Sequence, residues 1–331
     1  MDLSTTYLGF KLANPVIPGA SPMCDDLSLV KRLEDAGAPM IVMHSVFQEQ
    51  FEREEVAVAR GMEQGQYAQA EAENYLPDPE QFRLGPDRYL EQIGRIKQAV
   101  KIPVVASLNG STLGGWTDYA QKIEQAGADA LELNIYNPVL DLELSSNMVE
   151  QQTLEVVTAV RHAVSLPLAI KLSPNYTALS YFARRLMLAG ANGLVLFNRF
   201  YQADIDIERL ELRRNLKLST SEELLPRLRA VAGLAGRINC DLAITGGVHT
   251  KEDVIKATMA GASAVQMASA LLNNGPWYLS RLLDELAGWL ETHGYSSLSE
   301  MRGSMSLLRT PNPAAFERGN YMKILNAWES D

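Results

Sequence analysis

Polar and glycyl residues recur at the C-terminal ends of short apolar runs along the chain. They are Ser21, His44 and Ser45, Ser107 and Asn109, Asn134 and Tyr136, Lys171, Asn198, Gly246 and Gly247, and Ser269. One such residue can simply cap the helix that follows. A set drawn from every run describes the rim of one pocket instead. Serine and asparagine hydrogen-bond a polar ligand, but neither removes a proton from carbon. Histidine is the side chain type suited to proton transfer near neutral pH and tyrosine can donate a proton, so His44 and Tyr136 are the candidate acid–base groups. Lys171, in LAIKLSPNY, can form a Schiff base or stabilise an anion. Its strand context implies burial, and a buried cation needs an anionic partner. An electron-rich cofactor would qualify.

The stretch ITGGVHTKEDVIKATMAGASAVQMASAL (244–271) points to a phosphate. Gly246 and Gly247 let a ligand approach main-chain N–H groups with no side chain intervening. Ala268 and Ser269 offer a second such turn. Main-chain amides at a helix start bind phosphate without a lysine.

The runs that would carry these residues are PVIPGAS (15–21), PMIVMHS (39–45), PVVASLN (103–109), ALELNIY (130–136), PLAIKLS (167–173), GLVLFN (193–198), DLAITGG (241–247) and AVQMASA (264–270). Amphipathic segments such as DRYLEQIGRIKQAV and WTDYAQKIEQAG lie between them, with apolar residues at three- and four-residue spacing. Near-continuous apolar strands, each followed by a helix, pair in parallel with both faces covered. Eight such units predict an α/β fold, a TIM (β/α)8 barrel. A doubly wound sheet would usually carry a Gly-rich turn after its first strand, and PVIPGASP is not GxGxxG.

Residues 1–331 read as a single barrel domain. Two insertions interrupt it: 46–85 after the second strand, lid-like, and 199–220 after the sixth. Residues 294–331 form a C-terminal extension whose AAFERGNYMKILNAW stretch could cover the barrel or a second subunit.

Composition narrows the partners. The chain has 331 residues, 47% hydrophobic, with a formal charge of −10 and no lysine or arginine block. Nucleic acid and anionic membrane surfaces are therefore not expected partners. No apolar run approaches the roughly 18 residues of a membrane span, and MDLSTTYLGFKLANP is not a secretory signal. Two cysteines, Cys24 and Cys240, point to a reduced, cytoplasmic setting. Four histidines without HxH or HExxH spacing give no reason to expect a metal.

The sequence resembles the dihydroorotate dehydrogenases, the flavin-mononucleotide (FMN) barrels of pyrimidine synthesis, and in particular their soluble class 1 branch. The resemblance runs from NPVIPGAS at residue 14 into HGYSSLSEMRGSMS (293–306), and is most specific at the ELN of strand four, the IKLSP of strand five and the TGG…MASAL pair. It implies that Gly19, Ala20 and Ser21 pass the isoalloxazine ring, with Ser45 and Ser107 near its edge. Asn134 would touch flavin and substrate, and Lys171 would sit by flavin N1/O2. Asn198 would hold the substrate, with Arg199 beside it. Gly246, Gly247, Ala268 and Ser269 would cradle the phosphate.

Several positions depart from the family pattern. The family's oxidising base, a cysteine or serine, is replaced by Asn137, whose amide is not a competent base. An expected lysine is His44. Two asparagines that grip orotate fall at Ala72 and Val139. A small hydroxyl residue is replaced by Arg199, and a Gly-rich segment by residues around Leu218–Thr220. The flavin half of the site is thus kept while the pyrimidine half is rewritten.

The leading expectation is an FMN-dependent oxidoreductase acting on a CH–CH bond of a small substrate. The resemblance implies a homodimer, and the barrel's start close to the N-terminus a soluble electron acceptor or electron-transfer protein. The alternatives are an FMN-binding electron-transfer or regulatory partner without dihydroorotate turnover, and a lyase using Lys171 as a Schiff base.

Overall fold

The computed structural model describes residues 1–49, 86–136, 139–199, 203–213, 216–316 and 318–327. It opens with an antiparallel hairpin of β1 (Thr5–Tyr7) and β2 (Phe10–Leu12). Leu8 and Gly9 form its turn with φ of 51° and 83°. Positive φ at both positions matches the twist of a tight hairpin. The non-glycine Leu8 is held there by its surroundings: its side chain is buried, and its N–H donates to Asp241 Oδ2 at 2.7 Å.

The barrel strands follow: β3 (Val16–Pro18), β4 (Ile41–Phe47), β5 (Val104–Asn109), β6 (Ala130–Asn134), β7 (Leu168–Leu172) and β8 (Gly193–Leu196). After a small exposed hairpin of β9 (Asp204–Asp206) and β10 (Glu211–Arg213) come β11 (Asp241–Thr245) and β12 (Ala264–Met267). Eight parallel strands run in the order β3-β12-β11-β8-β7-β6-β5-β4, and β3 and β4 bring the ring nearly to closure. This is the TIM barrel expected from the sequence.

Two apolar layers explain why the strands read as unbroken hydrophobic runs. Their outward residues join the helices in one large core, with Phe182, Leu33, Ile93 and Ile123 fully buried. Their inward residues at the N-terminal end are Ile17, Val42, Val105, Ala130, Ala169, Val195, Ala243 and Ala264. Four of these are alanines, leaving space that Tyr7, Leu8 and Leu12 of the hairpin fill. The floor of the barrel is therefore plugged by the first strand pair, an element the sequence reading did not anticipate.

The first insertion, except for its opening residues, lies outside the described residues, so its lid reading stays an expectation. The second carries the β9–β10 hairpin. In the C-terminal extension, Leu298 and Met301 are buried, while the helix Asn320–Leu325 is exposed from Tyr321 onward. A groove of about 1190 Å³ separates that segment from the helices Leu224–Leu234 and Lys251–Ala260. Among the described residues, no helix is long and apolar enough to cross a membrane.

Candidate functional site

The inward polar residues begin one layer above the apolar floor. On β5 and β6, strict alternation brings Ser107 and Asn109, and Glu132 and Asn134, to the same side as Val105 and Ala130. On β4 alternation alone would not serve. A register shift between Val42 and Ser45 adds one residue, so that Ser45, not His44, stands opposite Ser107. Such a bulge re-aims side chains at strand ends.

Ser45 Oγ and Ser107 Oγ are 2.7 Å apart, and Asn134 Nδ2 donates to Ser45 Oγ at 2.9 Å. Asn198 Nδ2 donates to Asn134 Oδ1, while Asn109 Nδ2 donates to the Asn134 carbonyl at 2.7 Å. All five side chains thus belong to one network at the mouth, which fixes how the Asn134 amide faces.

Lys171 is buried, as expected, but its anionic partner is in the chain itself. Its Nζ lies 3.1 Å from Oε1 of Glu132, which is wholly inaccessible to solvent. Gln266 Nε2 donates to the other carboxylate oxygen at 2.6 Å. The sequence looks to an electron-rich cofactor for this counter-charge, and the chain itself supplies one in Glu132. Neither Glu132 nor Gln266 figured among the sequence candidates. Their signal was a polar residue inside an apolar run, at the same inward parity as Asn134 and Ala268.

His44 turns instead to the rim. Its Nδ1 is 2.7 Å from Asp25 Oδ1, close but not aligned as a hydrogen bond, and its ring meets Tyr89 edge-on at 5.3 Å. Tyr136 and Val139 line a cleft of about 930 Å³ beyond the ends of β5, β6 and β7, with Asn109, Ser173 and Tyr176. Asn137 and Ala72 lie outside the described residues. Arg199 grips Glu223 through Nε and Nη2, both at 3.1 Å, and reaches the Lys217 carbonyl through Nη1. It thereby ties the second insertion to the 3-10 turn Ser221–Glu223.

At the end of β11, Gly246 and Gly247 have φ of 82° and 78°. A Cβ on Gly247 would meet the main-chain nitrogen of Leu224 at 2.5 Å, and one on Gly246 the Arg227 guanidinium at 2.8 Å. These glycines therefore serve the fold as well as any ligand: the chain turns directly against the start of the helix Leu224–Leu234. Arg227 is itself buried, its guanidinium held by the carbonyls of Thr245 and Glu223, and burial lowers its pKa. Ser269 Oγ accepts from Ser219 N at 3.2 Å and from Ser219 Oγ at 3.0 Å, and Ser219 also meets His249 Nε2 at 3.1 Å. The segment around Leu218–Thr220 thus reaches the turn after β12 although it lacks the expected glycines.

The family model described as dihydroorotate dehydrogenase matches residues 2–290. The chain belongs to the dihydroorotate dehydrogenase family. It is 30% identical over 219 residues to a putative dihydroorotate dehydrogenase A (fumarate) of Aeropyrum pernix, covering 64% of this chain and 71% of that protein. It is 27% identical over 310 residues to the catalytic subunit of dihydroorotate dehydrogenase B (NAD(+)) of Thermoplasma acidophilum, covering 91% and 98%. The corresponding subunit of Pyrococcus abyssi is 27% identical over 305 residues, with the same coverage.

The mouth of this dihydroorotate dehydrogenase-family barrel holds polar atoms that a bound polar group would pair. Two buried polar atoms there, Ser21 Oγ and Gln266 Oε1, have no hydrogen-bond partner, and a buried atom of this kind is costly unless something pairs with it. Gly19 lies against Gln266, leaving the approach open on that side. Ser45, Ser107, Asn134 and Lys171 add donors and acceptors around the same opening.

The two thiols take no part in this. Burial, with Asp25 beside Cys24 and Asp241 beside Cys240, pushes both up to about 12. The thiolate is the nucleophile, so at pH 8 both are protonated. An aromatic disulfide reagent at that pH is expected to titrate them only slowly in the native protein, and both promptly in denaturant. Rapid native reaction of either would contradict this.

Proposed function

We propose that the chain is an FMN-dependent oxidoreductase of the dihydroorotate dehydrogenase type that acts on a CH–CH bond of a small substrate. The observation that carries this reading is the inward polar ring around Lys171, with its unpartnered Ser21 and Gln266 atoms, in a barrel of this family. FMN, when bound, would supply hydride and electron transfer. Gly19, Ala20, Ser21, Ser45, Ser107, Asn134 and Lys171 would hold its ring. Gly246, Gly247, Ala268 and Ser269 would hold its phosphate through main-chain amides. Asn134 and Asn198 would orient the substrate, with Arg199 anchoring the loop beside them.

Acid–base work falls to His44 or Tyr136, because Asn137 at the family's base position has no proton-accepting lone pair of useful basicity. A dimer passing electrons to a soluble acceptor in the cytoplasm completes the reading.

The test is an absorbance spectrum of the purified protein, followed by a screen of dihydropyrimidines for bleaching of the bound flavin. A yellow protein bleached by one of them supports the proposal, and a colourless protein that cannot be reconstituted with FMN overturns it. The asparagine at position 137 also favours a second reading, a flavin-holding partner protein without turnover of its own. Any substrate oxidised with ordinary turnover removes it. Asn137→Cys is expected to add little dihydroorotate oxidation, since Ala72 and Val139 stand where the family grips orotate. A large gain in steady-state oxidation would show that the pyrimidine pocket survives.

A further inference from the structure

Glu132 sits in the middle of β6 and is wholly buried, yet no role in the reading above uses it. Both its oxygens are engaged, Oε1 by Lys171 Nζ at 3.1 Å and Oε2 by Gln266 Nε2 at 2.6 Å. β7, which bears Lys171, is the neighbour of β6, whereas β12, which bears Gln266, lies four places away in the strand order. The second bond therefore crosses the barrel interior, and the carboxylate is braced from two sides. The Gln266 amide has only one tenable orientation, since its oxygen would repel the carboxylate. That leaves Gln266 Oε1 unpartnered, beside Gly19.

We propose that Glu132 is a positioning residue that fixes Lys171 at the mouth and offsets its charge, so that a redox ligand bound there meets a neutral ion pair and not a bare cation. This rests on the flavin reading above. A cation beside a redox group favours the reduced, more negative state, and strongly so where water is excluded. The carboxylate cancels part of that effect and so lowers the midpoint potential of the bound ligand. Its two-sided grip also prevents the long lysine side chain from choosing another rotamer, which a single surface-type contact would not do.

Glu132→Gln keeps the shape and removes the charge, and the Gln266 amide can turn to present its oxygen. With FMN bound, the potential measured against a reference dye is expected to shift positive relative to the unmodified protein. Lys171→Gln should shift it negative. The double variant Glu132→Gln/Lys171→Gln exchanges one neutral pair for another, so its potential is expected to return close to that of the unmodified protein, well above Lys171→Gln alone. Because it leaves no buried charge, the double variant also answers the question if Glu132→Gln alone does not fold. An unchanged or lowered potential in Glu132→Gln, or a double variant matching Lys171→Gln, overturns the inference. A protein that never takes up FMN overturns the flavin reading instead, so the two failures are distinguishable.

Discussion

Lys171→Met is expected to lose roughly 3–5 kcal/mol of folding stability, the range for breaking a buried ion pair from one side. The reason is what remains behind. Glu132 has no access to water and would keep only the Gln266 donor. A buried carboxylate without its counter-charge is far costlier than the pair is beneficial. Urea titration of the two proteins, both without added flavin, reads this directly. Adding Glu132→Gln to Lys171→Met should recover most of the loss, because the residual amide can be satisfied by Gln266. Equal stability of Lys171→Met and the unmodified protein would mean that the pair is not formed in solution.

Gly247→Ala is the second large effect. A side chain at φ of 78° is strained, and its Cβ would stand 2.5 Å from Leu224 N and 2.9 Å from the Glu223 carbonyl carbon. Both are main-chain atoms at a helix start and cannot swing aside as a side-chain tip would. Backbone strain of about 1–3 kcal/mol and overpacking of about 1–3 kcal/mol should act together. Gly9→Ala is the control: its φ is 83° but nothing lies within 4 Å of the added carbon, so only the strain applies. Denaturation midpoints should fall clearly more for Gly247→Ala than for Gly9→Ala. Affinity for FMN should also fall more than affinity for riboflavin, which lacks the phosphate. Equal midpoints for the two variants would show that the turn after β11 yields easily.

The barrel was legible because its evidence is local. Each strand is a short apolar run ending in a polar or glycyl residue, and each run closes one unit of a repeating pattern. Ser107 and Asn134 were readable as mouth residues for the same reason, since alternation within one strand sets their side. His44 and Ser45 show the limit. Both sit within one strand, and only the register shift against β5, a property of two strands, decides that Ser45 faces inward. Glu132 lies within ELN, but nothing local marks it, because its partners come from residues 171 and 266, far away in sequence. The β1–β2 hairpin was invisible for another reason: three-residue strands carry too little periodicity to register, and the room they occupy is created by alanines on other strands.

That hairpin gives the barrel a stopped floor. Tyr7, Leu8 and Leu12 fill its base, so the Lys171–Glu132 pair stands between an apolar plug and the mouth. Whatever settles at the top would cork the vessel, shutting the pair in between ligand and plug.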